Sequence, residues 1–425
     1  MDNKDVIKIN LPASKSIGAR FLVATYFSGT LPADPYFDDN DDLLVLQQAL
    51  LSLYADEEPI DYGDTPIDVH ASGTAFRFVT AVCASTPGAD FVITGTPRLC
   101  ERPMLPLLDV LRKAGASISS MGLDGNGPYR ISGKHMEGGH FEIAGNISSQ
   151  FISALMLVAP SWKKGITLDF TTPLVSKPYL EMTAELMRKF GIKLELTDKY
   201  VKVEPGKYKE PKGFMVESDW SSASFFYEAC TFGSGKLLLE NLVSDADSTQ
   251  GDSACREIYK RLGVKTLFTE QGAILTHEEN KVNFLDYDFK DCPDLVLPVA
   301  VSCLCNDIHF RFTGVANLRL KESDRIASLE IESKKLGYII RSEEDVIYWS
   351  GEKIEVENNP VINPHDDHRV AMAFAMVALK TGRITIANPE VVEKSFTMFW
   401  EELSKLNVVL SREEGNIIIT TNNKE

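Results

Sequence analysis

Phe141-Glu142-Ile143, followed by Ser148-Ser149-Gln150 and the run from Phe151 to Val158, is the stretch on which the reading of this chain turns. The first three residues close a strand-like segment, and the serines stand where the apolar period changes from strand to helix, as capping residues do. The run after them is apolar on every side, and a helix apolar all round is buried all round. An amphipathic helix from Tyr179 to Phe190 comes next and stops at Gly191. Lys193-Leu194-Glu195-Leu196 then begins another strand.

Working outward, the same pattern opens near Ile9-Asn10-Leu11, Val69-His70-Ala71, Phe214-Met215-Val216, Tyr287-Asp288-Phe289 and Val361-Ile362-Asn363. The copies lie roughly 60 to 75 residues apart, longer than ordinary solenoid repeats. Amphipathic helices are expected at Leu43 to Leu53, Leu105 to Ala114, Ser253 to Leu262, Ile326 to Leu336 and Thr397 to Leu406. Gly115, Gly191, Gly263, Gly337 and Asn407 follow the later ones, and these are the residue types that best take a left-handed turn after a helix. Phe151 to Val158, Val299 to Leu304 and Ala371 to Leu379 are the buried helices. An α/β fold with helices at its centre follows. Six copies divide naturally into two domains of three, with a break in the polar loop from Lys202 to Gly213 and a crossing near the amino-terminus.

Composition limits the function. The net charge of −17 argues against nucleic acid and against an anionic membrane surface. No apolar run is long enough to span a bilayer, and Met1-Asp2-Asn3-Lys4-Asp5 leads into no secretory segment, so a cytoplasmic location is expected. The seven cysteines are scattered, and Cys303 and Cys305 have no second pair at zinc-like spacing. They read as buried reduced thiols.

Four segments put charge beside tight-turn residues. Ser14-Lys15-Ser16 with Arg20 brackets a helix start and suits a phosphate grip, or a capped helix with surface cations. Arg98 and Arg102 flank a Pro-punctuated loop fit for bidentate recognition or for surface pairing. In Lys321-Glu322-Ser323-Asp324-Arg325, residues 321, 322 and 325 share a helix face. A carboxylate held among cations can move a proton once burial tunes it. Asp366-Asp367-His368-Arg369 opens the last buried helix; His365 and His368 lack a third metal ligand. Gly233-Ser234-Gly235-Lys236 misses phosphate-loop spacing and reads as a hairpin turn. If the helix starts converge, their partial positive charges favour a small anion in one cleft.

These residues resemble the EPSP synthases of the enolpyruvyl transferase family. The likeness runs from Leu11-Pro12-Ala13-Ser14-Lys15-Ser16 to Lys394-Ser395-Phe396. It takes in Ser72-Gly73-Thr74-Ala75-Phe76-Arg77, Glu101-Arg102-Pro103, Ser148-Ser149-Gln150, Ser176-Lys177-Pro178, Asp291-Cys292-Pro293-Asp294, Asn317 with Lys321 to Arg325, and Asp367-His368-Arg369. The resemblance implies two inside-out α/β barrel-like domains, each of three βαβαββ units with buried central helices. Residues 1–13 and 214–425 would form one domain and 14–213 the other, the two closing over 3-phosphoshikimate and phosphoenolpyruvate.

By the same resemblance Lys15, Ser16, Arg20, Ser148, Ser149, Gln150, Ser176, Asp294, Asn317 and Lys321 would bind 3-phosphoshikimate. Lys15, Gly73, Arg102, Gln150, Arg325, Arg369 and Lys394 would bind phosphoenolpyruvate. Asp294 would take the proton of the 5-hydroxyl, Glu322 would protonate the methylene carbon, and Lys15 would assist. No cofactor, metal, nucleic acid or membrane partner is implied, and a monomer is expected.

The sequence departs from the family pattern at Ala19 and Ala71, where Asn is usual, at Phe78 in place of Pro, and at Cys100 in place of a polar residue. Affinity for phosphoenolpyruvate and response to glyphosate therefore do not carry over. The alternatives are a sister enzyme acting on UDP-N-acetylglucosamine and a non-catalytic anion-binding relative. The sister enzyme has a loop cysteine five residues before its arginine, where this chain has Pro97. Intact Lys15, Asp294, Glu322, Arg369 and Lys394 oppose a loss of catalysis.

Overall fold

A computed structural model describes residues 6–37, 39–54, 66–279 and 282–422. The Met1 to Asp5 stretch used above to read the amino-terminus lies outside them. The chain divides into two compact units, Met1–Ser14 with Glu217–Glu425 (the discontinuous unit) and Lys15–Val216 (the continuous unit).

Each sheet among the described residues has four strands and the same order. In the sheet of Gly139–Ile143, Ile166–Phe170, Leu194–Leu196 and Tyr200–Val203, the first two strands run parallel, Gly139 opposite Ile166 and Ile143 opposite Phe170. The last two form a hairpin that adds antiparallel to the second strand. A parallel pair needs a crossover, and the helix Ser149–Val158 supplies it. Nine of its ten residues are buried, so its polar starting residues are fixed against a rigid core. Val296–Cys305 and His368–Met376 are buried along their whole length in the discontinuous unit, as is Trp220–Thr231. Gly115, Gly191, Gly263, Gly337 and Asn407 all have positive φ, ending the amphipathic helices with the turn that spares a Cβ clash or that Asn tolerates.

Two expectations change. Phe214-Met215-Val216 is not a strand. Gly213 turns the chain at φ +70°, the Phe214 ring stacks on Phe21 at 5.4 Å in the continuous unit, and Met215 is 82% exposed. The place beside Lys236–Glu240 goes to Val6–Asn10 from the chain start, paired in parallel from Val6↔Lys236 to Asn10↔Glu240. The helices after it, Lys15–Ser28 and Asp41–Leu51, belong to the continuous unit and have no sheet of their own among the described residues. Gly233 to Gly235 is no hairpin either: its two glycines, both at positive φ, carry the Trp220–Thr231 helix into the Lys236–Glu240 strand.

All seven cysteines are buried free thiols. Among the described residues no helix is long and apolar enough to cross a membrane. One core residue is out of keeping. Glu228, in Trp220–Thr231, has no exposed surface, and neither carboxyl oxygen meets a hydrogen-bond partner among the described residues. Burial pushes its pKa well above the ordinary carboxyl value. The unfolded chain releases this proton near the usual pKa while the fold retains it, so the residue destabilises increasingly as pH rises through that range. Glu228→Met is expected to raise the urea midpoint at neutral pH by the equivalent of about 1–3 kcal/mol, with a smaller gain near pH 4. A variant less stable than the parent at every pH would show that the carboxyl contributes favourably.

Candidate active site

In the discontinuous unit the chemistry gathers where three buried helices begin. Asp294 lies in the Pro293–Leu295 turn that opens Val296–Cys305. Its Oδ1 accepts from Arg325 Nη1 at 2.7 Å and Lys321 Nζ at 3.4 Å, and its Oδ2 accepts from Arg369 Nη2 at 3.1 Å. Arg325, 2% exposed, also donates from Nη2 to Glu322 Oε2 at 3.0 Å and from Nε to Asp367 Oδ2 at 2.7 Å. Asp367 caps His368–Met376, accepting the Arg369 backbone N–H at 3.0 Å. Asp324 caps Arg325–Lys335 through the Ala327 N–H at 3.0 Å. The third start is that of Trp220–Thr231, where Asp219 caps Ser222 and the Ser221 hydroxyl donates to Asp252.

Burial alone would raise the Asp294 pKa. Arg369, Lys321 and Arg325 outweigh it and hold the carboxyl well below the usual range. Asp252 shows the opposite balance: burial first, then the charge of Asp294, pushes it up to about 7 against the pull of Arg369. Its Oδ1 has no hydrogen-bond partner among the described residues. Ser14 is buried and bonds Gln250 Oε1 at 3.0 Å. Asn317 lies half-buried in the Ala316–Leu320 turn, and Lys394 half-buried at the end of Pro389–Lys394.

The continuous unit gathers helix starts around a different arginine. Arg20, 2% exposed, donates to Thr183 Oγ1 at 2.6 Å, the Ser16 carbonyl at 2.7 Å, Ser153 Oγ at 3.0 Å and the Tyr179 carbonyl at 3.3 Å. It thereby ties the first two turns of Lys15–Ser28, Ser149–Val158 and Lys177–Lys189. Phe78 lies under its guanidinium at 5.7 Å, a use for the ring that departs from the family pattern. All these acceptors are neutral, and burial lowers the Arg20 pKa to about 10, with Tyr179 opposing.

Beside this group, Gln150 Nε2 donates to Thr74 Oγ1 at 3.0 Å, while Gln150 Oε1 has no partner among the described residues. Ser148 and Ser176 sit at the N-caps of their helices without capping them, Ser176 in the left-handed conformation. Ser149 is buried in the first turn. Lys15 Nζ reaches Asp42 at 3.1 Å. A Cβ on Gly73 would stand 2.6 Å from Arg77 Nη1 and 2.7 Å from Arg102 Nη1, so glycine admits two guanidinium groups to one helix start. Arg98, in the same loop as Arg102, is exposed.

Each unit thus gathers a buried guanidinium group at helix starts, on neutral acceptors in the continuous unit and on carboxylates in the discontinuous one. A family model described as EPSP synthase (3-phosphoshikimate 1-carboxyvinyltransferase) matches residues 7–403. The chain belongs to the EPSP synthase family. A 3-phosphoshikimate 1-carboxyvinyltransferase of Bacteroides fragilis is 41% identical over 399 residues, 93% of this chain and 94% of that protein. One of Haemophilus influenzae is 32% identical over 420 residues, 94% of this chain and 96% of that one. A solved EPSP synthase of Acinetobacter baumannii shares the fold at a TM-score of 0.70, with 24% identity, over 95% of this chain and 96% of that one.

Within this EPSP synthase family member, sequence reasoning did not single out Asp252, Asp42 or Arg77, which the fold sets beside Ser221, Lys15 and Gly73 of the candidate site. Asp252 follows Asp245 and Asp247 in a polar loop, and Asp42 stands in an acidic run, so neither is distinguishable by pattern. Arg77 stands in a quoted motif, and its value shows only in the fold, where its guanidinium lies 5.2 Å from the Phe151 ring. Because the folded pKa of Asp252 exceeds the unfolded one, wild-type stability should fall as pH rises from about 4 to about 7. Asp252→Asn is expected to remove this residue's share of that slope and leave that of Glu228, its advantage over the parent growing to about 1–3 kcal/mol above pH 7. Urea midpoints across pH 4–8 measure this, and an advantage that shrinks with pH would refute it.

Proposed function

We propose that this chain transfers the enolpyruvyl group of phosphoenolpyruvate to the 5-hydroxyl of 3-phosphoshikimate, as the names of its relatives indicate for them. The observation that carries the reading is Asp294 held by Lys321, Arg325 and Arg369, with Glu322 on the same arginine. Addition needs a base at the 5-hydroxyl and an acid at the methylene carbon, and here two carboxyls share one guanidinium.

In the proposed sequence Asp294 takes the 5-hydroxyl proton as that oxygen bonds to C2 of phosphoenolpyruvate. Glu322 gives a proton to C3, leaving a tetrahedral adduct. The C2–O bond to phosphate then breaks, C3 returns a proton to Glu322, the proton held by Asp294 leaves with the phosphate, and the products are 5-O-(1-carboxyvinyl)-3-phosphoshikimate and phosphate. Asp294 held far below the ordinary range is a poor base. Anionic groups of the substrates drawing on Arg369 and Lys321 would loosen that hold and raise its basicity, so that the base is strengthened when both substrates are seated.

For binding, Ser148, Ser149 and Ser176 with Lys15, Ser16, Arg20, Gln150, Asn317 and Lys321 are assigned to 3-phosphoshikimate. A buried Arg20 whose acceptors among the described residues are all neutral, and N-cap serines whose side chains do not cap, support this. Gly73, Arg102, Arg325, Arg369, Lys394, Lys15 and Gln150 are assigned to phosphoenolpyruvate. Two mutually repelling anions need such cations to meet. The same reading carries a monomeric cytoplasmic enzyme that needs no cofactor.

Phosphate release with both substrates, and none with either alone, is the expected result. Retained binding of both without release would favour a non-catalytic relative. Asp294→Ala and Glu322→Gln should each lower kcat by roughly 10²–10⁴ with unchanged circular dichroism. Near-normal rates in either would remove its assigned role. Gly73→Ala should raise the KM for phosphoenolpyruvate at least about tenfold, a level that corresponds to one lost charged contact. An unchanged KM would detach Gly73 and its two arginines from that substrate.

A further inference from the structure

His365 and Asp366 precede the Asp367 cap, and both have positive φ, 53° and 58°. Two successive non-glycine residues in this region are strained, at about 1 kcal/mol or more each, and persist only where their surroundings impose them. Against them lies Glu332, wholly buried on the Arg325–Lys335 helix. Its Oε1 is 2.8 Å from His365 Nε2, and its Oε2 accepts from the Asn363 N–H at 3.0 Å and Lys335 Nζ at 2.7 Å. An ionised carboxylate only accepts, so Nε2 carries the hydrogen. Lys335 Nζ also reaches the Val361 carbonyl at 2.8 Å, and the His365 N–H bonds Asn363 Oδ1 at 2.9 Å.

The other end of the same helix begins with Arg325, which holds Asp367. The helix and the 361–367 segment are therefore fastened at two places two turns apart on the helix, with strained His365 at one of them and strained Asp366 between it and Asp367. The loop is closed: Glu332 to His365, along the backbone to Asp367, across to Arg325, and back down the helix.

We propose that the Glu332–His365 contact is a positioning clamp that holds the left-handed turn and so sets Asp367, Arg325 and Arg369 at the angle required to receive phosphoenolpyruvate. The inference rests on the function proposed above. His365 touches no reacting group and acts through Asp367. Only a side chain long enough to donate to Oε1 can fill the role. Asn prefers the left-handed turn as well as His does but is too short to reach; Gln reaches with an amide N–H.

The test is the set His365→Ala, His365→Asn and His365→Gln in the full chain. For Ala and Asn the KM for phosphoenolpyruvate should rise about tenfold, with that for 3-phosphoshikimate within twofold, and Gln should return within threefold of wild type. Calorimetric binding of phosphoenolpyruvate should follow the same ranking, so the clamp is judged even if the wild type proves catalytically silent, a result that would count against the proposed function alone. A loss shared equally by both substrates, an Ala variant within twofold of wild type, or rescue by Asn equal to rescue by Gln would overturn the clamp. Should the Ala variant fail to fold, the contrast between Asn and Gln decides.

Discussion

Two buried guanidinium groups, Arg20 and Arg325, govern the organisation of their respective units. Each is 2% exposed and lies where several helices begin. A buried charge is tolerated only when paired or richly hydrogen-bonded, and helix starts add partial positive charge to the same place. Arg325 answers this with carboxylates from Asp294, Glu322 and Asp367. Arg20 answers it with hydroxyls and carbonyls from three helices. The first solution leaves a site that is internally balanced. The second leaves the guanidinium without a carboxylate among the described residues, and it binds helix starts of the continuous unit into one frame.

The balanced solution has a chemical consequence. The cations that stabilise Asp294 as an anion also weaken it as a base. On the proposed reaction this is a restraint, lifted when substrate charge competes for the same arginines and lysine. Asp252, raised to about 7 by burial and by Asp294, lies on the other side of this balance and feels Arg369 as well. The local electrostatics is thus set by competition among carboxylates for a fixed number of cations, and no residue of the group has a role independent of the others.

Much of the architecture was legible from the chain. Apolar runs such as Phe151 to Val158 can exist only inside a core, and glycine or asparagine after the five later amphipathic helices declared their ends. The strand at Phe214 was misread because three residues of suitable type carry no information on their partner; the aromatic cluster around Phe21 claimed the ring and Val6–Asn10 claimed the sheet position. Arg98 and Arg102 are alike by residue type in one loop and only the family resemblance picked the second; the fold exposes the first and sets the second beside Gly73. His365 was noticed only as a doubtful metal ligand, since its partner Glu332 lies more than thirty residues away.

The sequence by itself determined the repeat, the buried helices and the charged residues at their starts, because periodicity and capping are local properties of neighbouring residues. Only tertiary structure decided which charges neutralise one another, which arginine is left to neutral acceptors, and which turn is held under strain. Those outcomes depend on distances between residues far apart in the chain and on how much water the fold removes from around them, and neither quantity is written in any local run of amino acids.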